Sequence, residues 1–288
     1  MGEGVIYFNG RLLPERSAHL SCLDRGFTLG DGVFDTSRAV HDTVFRLEEH
    51  LDRLQRSASA IGLTVPVSAE ELGNAVYSLL AANRLADALI RITLSRGVPE
   101  ERGLLPPPSP CPSLAIQTVP FGGYPQERYA KGFSGALVAM RRNEASPLSY
   151  IKSCNYLDSV LARMQAHDRG ADEALLLNTA GWLACGASSN LFLVSEGSLI
   201  TPSLDCGVLD GVTRRTVLEL AAALGLSSTE RPMVPEELDL AEEAFVTNTA
   251  VGVMPLVAVD GRAIGRGEAG PIARRLHSAY TELLSPSQ

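Results

Sequence analysis

Ser149-Tyr150-Ile151-Lys152-Ser153-Cys154-Asn155-Tyr156-Leu157 carries one of the two lysines in this chain of 288 residues, and Tyr129-Ala130-Lys131-Gly132 carries the other. Lysine and arginine together number 25, so arginine supplies nearly all the positive charge. Arginine can make salt bridges but holds its proton permanently, whereas a lysine amine can lose its proton and attack a carbonyl carbon. A lysine kept in an ordered, apolar setting is therefore a candidate nucleophile. Lys152, flanked by Tyr150, Ile151 and Cys154 and set just before a helical apolar repeat, fits that description. Lys131, beside a glycine, reads as a solvated charge.

Working outward, the chain alternates irregularly between strand and helix patterns. Val5-Ile6-Tyr7-Phe8-Asn9-Gly10 reads as a strand ending in a tight turn, with Arg11-Leu12-Leu13 returning as a hairpin. Asp24-Arg25-Gly26-Phe27-Thr28-Leu29-Gly30-Asp31-Gly32-Val33-Phe34-Asp35 reads as a glycine-punctuated loop leading into a strand through Arg38 and Val40. Leu47, Leu51, Leu54, Ala58 and Ile61 recur at helical spacing. Ser68 with Glu71 is a capping box for a second helix. Strands are predicted at Ala88–Leu94 and Leu114–Val119, on either side of a proline-rich loop.

Phe121-Gly122-Gly123-Tyr124-Pro125-Gln126 breaks the pattern and reads as a linker. Beyond it, strands are predicted near Gly135–Met140, Glu173–Asn178, Leu191–Val194, Leu199–Thr201 and Ala244–Thr249. Helices are predicted at Leu157–Ala166, Val212–Leu224 and Pro271–Leu284. This order favours an α+β or irregular α/β fold over a doubly wound sheet. No Gly-x-Gly-x-x-Gly opens a helix after a strand, which argues against a dinucleotide fold.

Composition narrows the function classes. A hydrophobic fraction of 45% and a charged fraction of 20% are those of a globular protein. A net charge of -8, with a pI near 5.2, argues against a nucleic-acid partner. No apolar run reaches membrane-spanning length and the first residues do not resemble a signal peptide, so a cytoplasmic protein is expected. Five scattered cysteines show neither a disulfide framework nor metal-ligand spacing.

A lysine close to a tyrosine, with no metal set and no strong nucleophile motif, points toward Schiff-base chemistry, for which pyridoxal 5'-phosphate (PLP) is the commonest cofactor. Such a site needs a phosphate cradle. Leu209-Asp210-Gly211-Val212-Thr213-Arg214 is a candidate, because a helix start offers backbone N–H groups and a hydroxyl to an anion. Taken alone, it reads first as a helix start capped by an Asp.

An ordered set of motifs then carries a resemblance. Gly30-Asp31-Gly32-Val33-Phe34-Asp35, Glu49-His50-Leu51-Asp52-Arg53-Leu54 and Ile151-Lys152-Ser153-Cys154-Asn155-Tyr156-Leu157 are followed by Ala171-Asp172-Glu173-Ala174. Ser189-Asn190-Leu191-Phe192, Gly211-Val212-Thr213-Arg214 and Val253-Met254-Pro255 complete the set. Together they resemble the fold-type IV PLP enzymes, or class IV aminotransferases, nearly end to end. The resemblance implies a two-domain fold: a smaller N-terminal α/β domain (1–119), a linker (120–129) and a larger cofactor-binding α/β domain (130–288). It also implies a homodimer and a small amino substrate bearing a carboxylate.

By position, Lys152 matches the lysine that binds PLP as a Schiff base and moves the substrate's α-proton. Arg53, Val212, Thr213 and Thr249 match the phosphate-binding set, and Tyr156 matches a tyrosine that contacts the cofactor's phenolic oxygen. Phe34, Arg38 and Arg102 match substrate-facing positions, and Asn190 a loop brace. One position departs. Where the family places a glutamate against the pyridine nitrogen, this chain has Cys185, whose thiol, with an ordinary pKa of roughly 8.5, is largely neutral at neutral pH.

Within the family, three features lean toward aminodeoxychorismate lyase, which releases pyruvate and 4-aminobenzoate in folate biosynthesis. These are Asn248 with Val253-Met254-Pro255, the Arg96-Gly97 and Arg102-Gly103 pairs, and the missing glutamate, which elimination tolerates better than transamination. The alternatives are an aminotransferase for branched-chain or D-amino acids, and a PLP-binding protein with weakened catalysis.

Overall fold

The computed structural model describes residues 4–101 and 103–285, which fall into two compact units. One runs to Gly122 and also takes in Ile151–Asn155. The other comprises Gly123–Tyr150 and the chain from Tyr156 onward. The short stretch around Lys152 thus packs with the first unit although it interrupts the sequence of the second.

The first unit is built on an antiparallel sheet of order β2-β1-β6-β5-β3-β4. Its strands are β1 (Val5–Phe8), β2 (Arg11–Pro14), β3 (Gly32–Val40), β4 (Thr43–Val44), β5 (Ala88–Ser95) and β6 (Ser113–Pro120). The expected hairpin forms, with Phe8 opposite Arg11. Between β2 and β3, a short helix, α1 (Arg25–Leu29), occupies what reads in the sequence as a loop. The Asp24 carboxylate caps it by accepting the Gly26 N–H at 2.7 Å, and Gly30 ends it at φ 67. Helices α2 (Leu47–Ala60) and α3 (Ala69–Asn83) supply Leu51, Leu54, Ala58, Leu72, Val76 and Leu79 to a core shared with Val33, Ile90, Ile92 and Ile116. The capping box closes in both directions between Ser68 and Glu71.

Strand β3 matters most for the site. Val33, Asp35, Ser37 and Ala39 alternate with Phe34, Thr36 and Arg38, so the two sets point to opposite faces of the sheet. Beside Gly32–Phe34 runs the Lys152 segment, which pairs with β3 through an isolated bridge between Val33 and Ser153.

The second unit holds α4 (Gln126–Lys131), β7 (Phe133–Arg142), α5 (Leu157–Asp168), β8 (Glu173–Asn178), β9 (Leu183–Gly186), β10 (Asn190–Ser195) and β11 (Ser198–Thr201). These are followed by α6 (Val212–Ala223), β12 (Ser228–Glu230), α7 (Glu237–Leu240), β13 (Glu243–Asn248), β14 (Gly252–Val259), β15 (Arg262–Ala263) and α8 (Pro271–Leu284). The strand path β10-β13-β14-β7-β8-β9 returns to β10 where Cys185 pairs with Asn190, so the sheet closes on itself at Cys185.

Two strands of that ring, β9 and β14, are not predicted from the sequence. Strand β14 is apolar on both faces and contains Pro255, so neither alternation nor composition marks it. Helix α4 begins inside the stretch read as linker (120–129) and runs two residues past it. Its Tyr129 is buried, donates its hydroxyl to the Val251 carbonyl at 3.0 Å and stacks on His277, while Lys131 lies exposed at the helix end. No helix among the described residues is long and apolar enough to cross a membrane.

Candidate active site

Lys152 is positioned by its backbone. Its carbonyl accepts the Phe34 N–H at 2.9 Å, its own N–H donates to Ser57 Oγ at 3.2 Å, and two residues on the Cys154 N–H donates to the Gly32 carbonyl at 2.8 Å. The segment is therefore clamped between the edge of β3 and one face of α2. The Lys152 ammonium lies 4.5 Å from the centroid of the Phe34 ring, and the Arg91 guanidinium lies 3.7 Å from the same centroid. Arg38, two residues along that strand face, lies 5.2 Å from the Phe121 ring centroid, and its buried Nε has no protein partner. A buried donor without an acceptor is costly, so Arg38 is suited to take an acceptor from a ligand. Arg102 lies outside the described residues.

Arg53 is buried, contrary to what a charge beside Asp52 on a helix suggests. Its Nε donates to Asp35 Oδ2 at 2.7 Å and its Nη2 to Asp35 Oδ1 at 2.8 Å. His50 Nδ1 stands 2.7 Å from the same Oδ1. Burial pushes the Asp35 pKa up, but the Arg53 charge and the hydrogen bonds from His50 and Arg53 outweigh it and hold the carboxyl far below the usual range. Asp35 is thus an acceptor only, so His50 Nδ1 must carry the proton. Burial also draws the His50 pKa down, against the raising effect of Asp35. The imidazole is neutral near neutral pH, in the Nδ1–H tautomer.

In the second unit, Cys185 is buried at the seam of the closed sheet. Burial raises its thiol pKa, the Arg142 charge opposes the rise, and Glu173 adds to it. The group is a neutral thiol and supplies no counter-charge. Glu173 is itself buried. It accepts the N–H groups of Ala174 at 2.9 Å and Ala187 at 3.3 Å and the Ser189 hydroxyl at 2.9 Å, bracing the turn after Cys185. Asn190 donates to the Leu209 carbonyl at 2.9 Å, which ties β10 to the loop leading into α6.

Helix α6 begins at Gly211 with no side-chain cap, and Asp210 pairs instead with Arg215. The Asp-cap reading of this turn is therefore wrong. The first-turn N–H groups, with the buried Thr213 beside them, have no side-chain cap, an arrangement suited to an anion. Thr249 lies in the turn after β13, and Tyr156 is the residue that precedes α5. Thr247 Oγ1, fully buried on β13, has no partner, a feature invisible in the sequence.

These residues fit PLP at two ends. A lysine amine held by three backbone bonds suits its carbonyl carbon. A buried guanidinium in the first unit and, separately, an uncapped helix start in the second are each of a chemistry that suits a phosphate. Cys185, which the resemblance matches to the family's ring-nitrogen glutamate, is a neutral thiol and not a carboxylate. Sequence reasoning gave no role to Arg91, Asp35 and His50, which contact Phe34 and Arg53 in the first unit, or to Glu173, which braces the turn after Cys185 in the second. Among the described residues no group of three or more His, Cys, Asp or Glu side chains is placed to hold a metal.

The residues that suggest a lyase have structural work instead. Arg96 is buried, with its guanidinium on Asp31 and on the carbonyls of Ile61 and Gly62. The Asn248 carboxamide accepts the N–H groups of Ala250 and Val251, closing a turn. Comparison with known proteins overturns the lyase reading and its place in folate biosynthesis.

A "Putative branched-chain-amino-acid aminotransferase" from Methanocaldococcus jannaschii is 37% identical over 279 residues, 96% of each chain. A branched-chain-amino-acid aminotransferase from Pseudomonas aeruginosa is 34% identical over 98% of this chain and 94% of its own. Among solved structures, the branched-chain aminotransferase of Escherichia coli superposes with a TM-score of 0.94 at 30% identity, covering 99% of this chain and 95% of that one. A second solved branched-chain aminotransferase, with pyridoxamine 5'-phosphate, also gives 0.94, at 32% identity, covering 100% and 96%. The family profile described as amino-transferase class IV matches residues 32–259. The chain belongs to the class IV aminotransferases and is, like them, a PLP-dependent enzyme of fold-type IV.

Proposed function

We propose that this chain is a branched-chain amino-acid aminotransferase, which takes the amino group from leucine, isoleucine or valine and passes it to a 2-oxo acid. The observation that carries this reading is the near full-length likeness to enzymes so named. When bound, PLP supplies an aldehyde carbon for the amine and a ring that withdraws electrons from the substrate's Cα–H bond. Lys152 holds the cofactor through Nζ, and the same amine, once released, takes the α-proton.

Arg53, the first-turn N–H of Val212, the Thr213 hydroxyl and Thr249 bind the phosphate, and Tyr156 contacts the phenolic oxygen. Phe34 offers an apolar wall to a branched side chain. Arg38, with its unpartnered donor, and Arg102 bind the carboxylate. Cys185 is a neutral neighbour of the ring nitrogen, so the ring withdraws electrons less strongly and the proton transfer at Lys152 is slowed.

The test is a panel of amino acids with 2-oxoglutarate as acceptor. Leucine, isoleucine and valine should give kcat/KM values at least about tenfold above D-alanine, a difference of roughly 1.4 kcal/mol. Equal or better turnover of D-alanine would overturn the branched-chain reading.

The same reading includes a homodimer. Leu20, Leu23, Phe27 and Leu29 are exposed in the first unit, and Leu157, Val160, Leu161 and Met164 form an exposed helical stripe on α5 in the second. Apolar groups in such clusters favour association. Light scattering on the purified enzyme should give twice the chain mass.

A further inference from the structure

Given the phosphate-binding reading of Arg53, we infer that Asp35 and His50 are its positioning residues. The Asp35 carboxylate fixes the guanidinium in the orientation that receives the cofactor phosphate, and His50 fixes the carboxylate. A guanidinium presents five N–H donors in a rigid plane. Asp35 takes the side-on edge, through Nε at 2.7 Å and Nη2 at 2.8 Å. That fork sets the plane of the group and turns the end-on edge, Nη1 with the second hydrogen of Nη2, toward an anion. Without it, a long side chain must be ordered by the phosphate itself, which lowers affinity.

The anchor is buried and bonded on both carboxylate oxygens. Asp35 is 2% exposed on β3, and Oδ1 also accepts the His50 Nδ1–H at 2.7 Å. His50 Nδ1 lies 3.5 Å from Arg53 Nη2; both are donors, so the pair is a contact held by the shared carboxylate. One turn further along α2, Ser57 Oγ accepts the Lys152 N–H. A single face of α2, carrying His50, Arg53 and Ser57, therefore sets both the guanidinium and the backbone of the lysine.

Charge and geometry predict opposite signs, which makes the inference testable. Asp35 is an anion beside the place of a second anion. If it were only a counter-charge, Asp35→Asn would leave PLP binding unchanged or tighten it. As a positioning residue, its loss weakens binding despite the removal of a negative charge.

The experiment titrates PLP into apo-enzyme by absorbance and records the ³¹P resonance of the bound phosphate. Arg53→Gln and Asp35→Asn should each weaken binding about tenfold or more, the scale set by residues that orient metal ligands. His50→Leu should weaken it less, and Asp35→Glu should recover most of the loss. The wild-type ³¹P shift should stay constant across the free phosphate's pKa of about 6, and it should titrate in Asp35→Asn. Unchanged or tighter binding in Asp35→Asn, with Arg53→Gln impaired, overturns the positioning role. Unchanged binding in Arg53→Gln overturns the phosphate reading itself. If Asp35→Asn does not fold, His50→Leu decides: wild-type affinity and an invariant ³¹P shift in that variant contradict the inference.

Discussion

At the residue scale, Lys152 stands out as the candidate because the chain has so little lysine and because its neighbours are apolar. Its surroundings were not legible. The contacts that fix it come from Gly32, Phe34 and Ser57, all far away in sequence. Replacing Lys152 by Ala should cost about 10² to 10⁴ in turnover, the usual worth of a positioned acid–base group, and should remove the cofactor's visible absorbance. An unchanged spectrum would move the Schiff base elsewhere.

Cys185 gives a second prediction. Cys185→Glu places a carboxylate in a buried position, so the apo-enzyme should lose about 1–3 kcal/mol in urea unfolding. PLP should restore that stability, and the holoenzyme should transaminate faster than wild type. A variant that PLP neither restabilises nor accelerates would show that position 185 does not face the ring nitrogen.

At the element scale, the amphipathic helices were readable from their spacing, and the capping box located the start of α3. Strand β14 was hidden because burial on both faces removes alternation. Arg53 was misjudged in isolation because a helix shows its charge but not the acid it faces across β3. The same cause hid the binding of Arg96 to Asp31 and to the carbonyls of Ile61 and Gly62, which lent that arginine a false functional look.

The loop that begins at Arg96 depends on Gly97, which sits at φ 84 and pairs with Cys111. A Cβ there would lie 1.7 Å from the Cys111 carbonyl oxygen. Gly97→Ala should therefore destabilise the protein by more than about 1 kcal/mol, measured by urea unfolding. A wild-type midpoint would show that the loop can shift at no cost.

At the scale of the whole molecule, the mixed fold and its cofactor were legible because seven short motifs fall in one order along the chain. The reaction was not. Two of the marks taken for a lyase, Arg96 and Asn248, have local structural roles, and the ring of Phe34 meets Arg91 only on the folded sheet face.

Stability should also depend on pH in a defined direction. His50 and His277 have lowered pKa values, each through burial first, so the unfolded chain binds protons before the folded one. Their contribution is full above about pH 6.5 and is lost as pH falls below it. Asp31, Asp35 and Asp172 are also lowered, as their arginine and hydrogen-bond partners outweigh burial, and they add a second loss below about pH 4. Glu173, raised by burial, acts in the opposite sense, its share being lost as pH rises through its folded value. The urea midpoint should drop between about pH 7 and pH 5, with a smaller drop in His50→Leu; a flat profile in the wild type would contradict this assignment.

The most direct test of the central claim is a single turnover. Holoenzyme is mixed with leucine in the absence of any acceptor, and released 4-methyl-2-oxopentanoate is measured by mass spectrometry. An aminotransferase that retains the amino group should release one oxo acid per bound PLP and then stop until a 2-oxo acid is added, and Lys152→Ala should release it about 10² to 10⁴ times more slowly. No oxo acid from leucine, isoleucine or valine, or release that continues without an acceptor, would contradict the account.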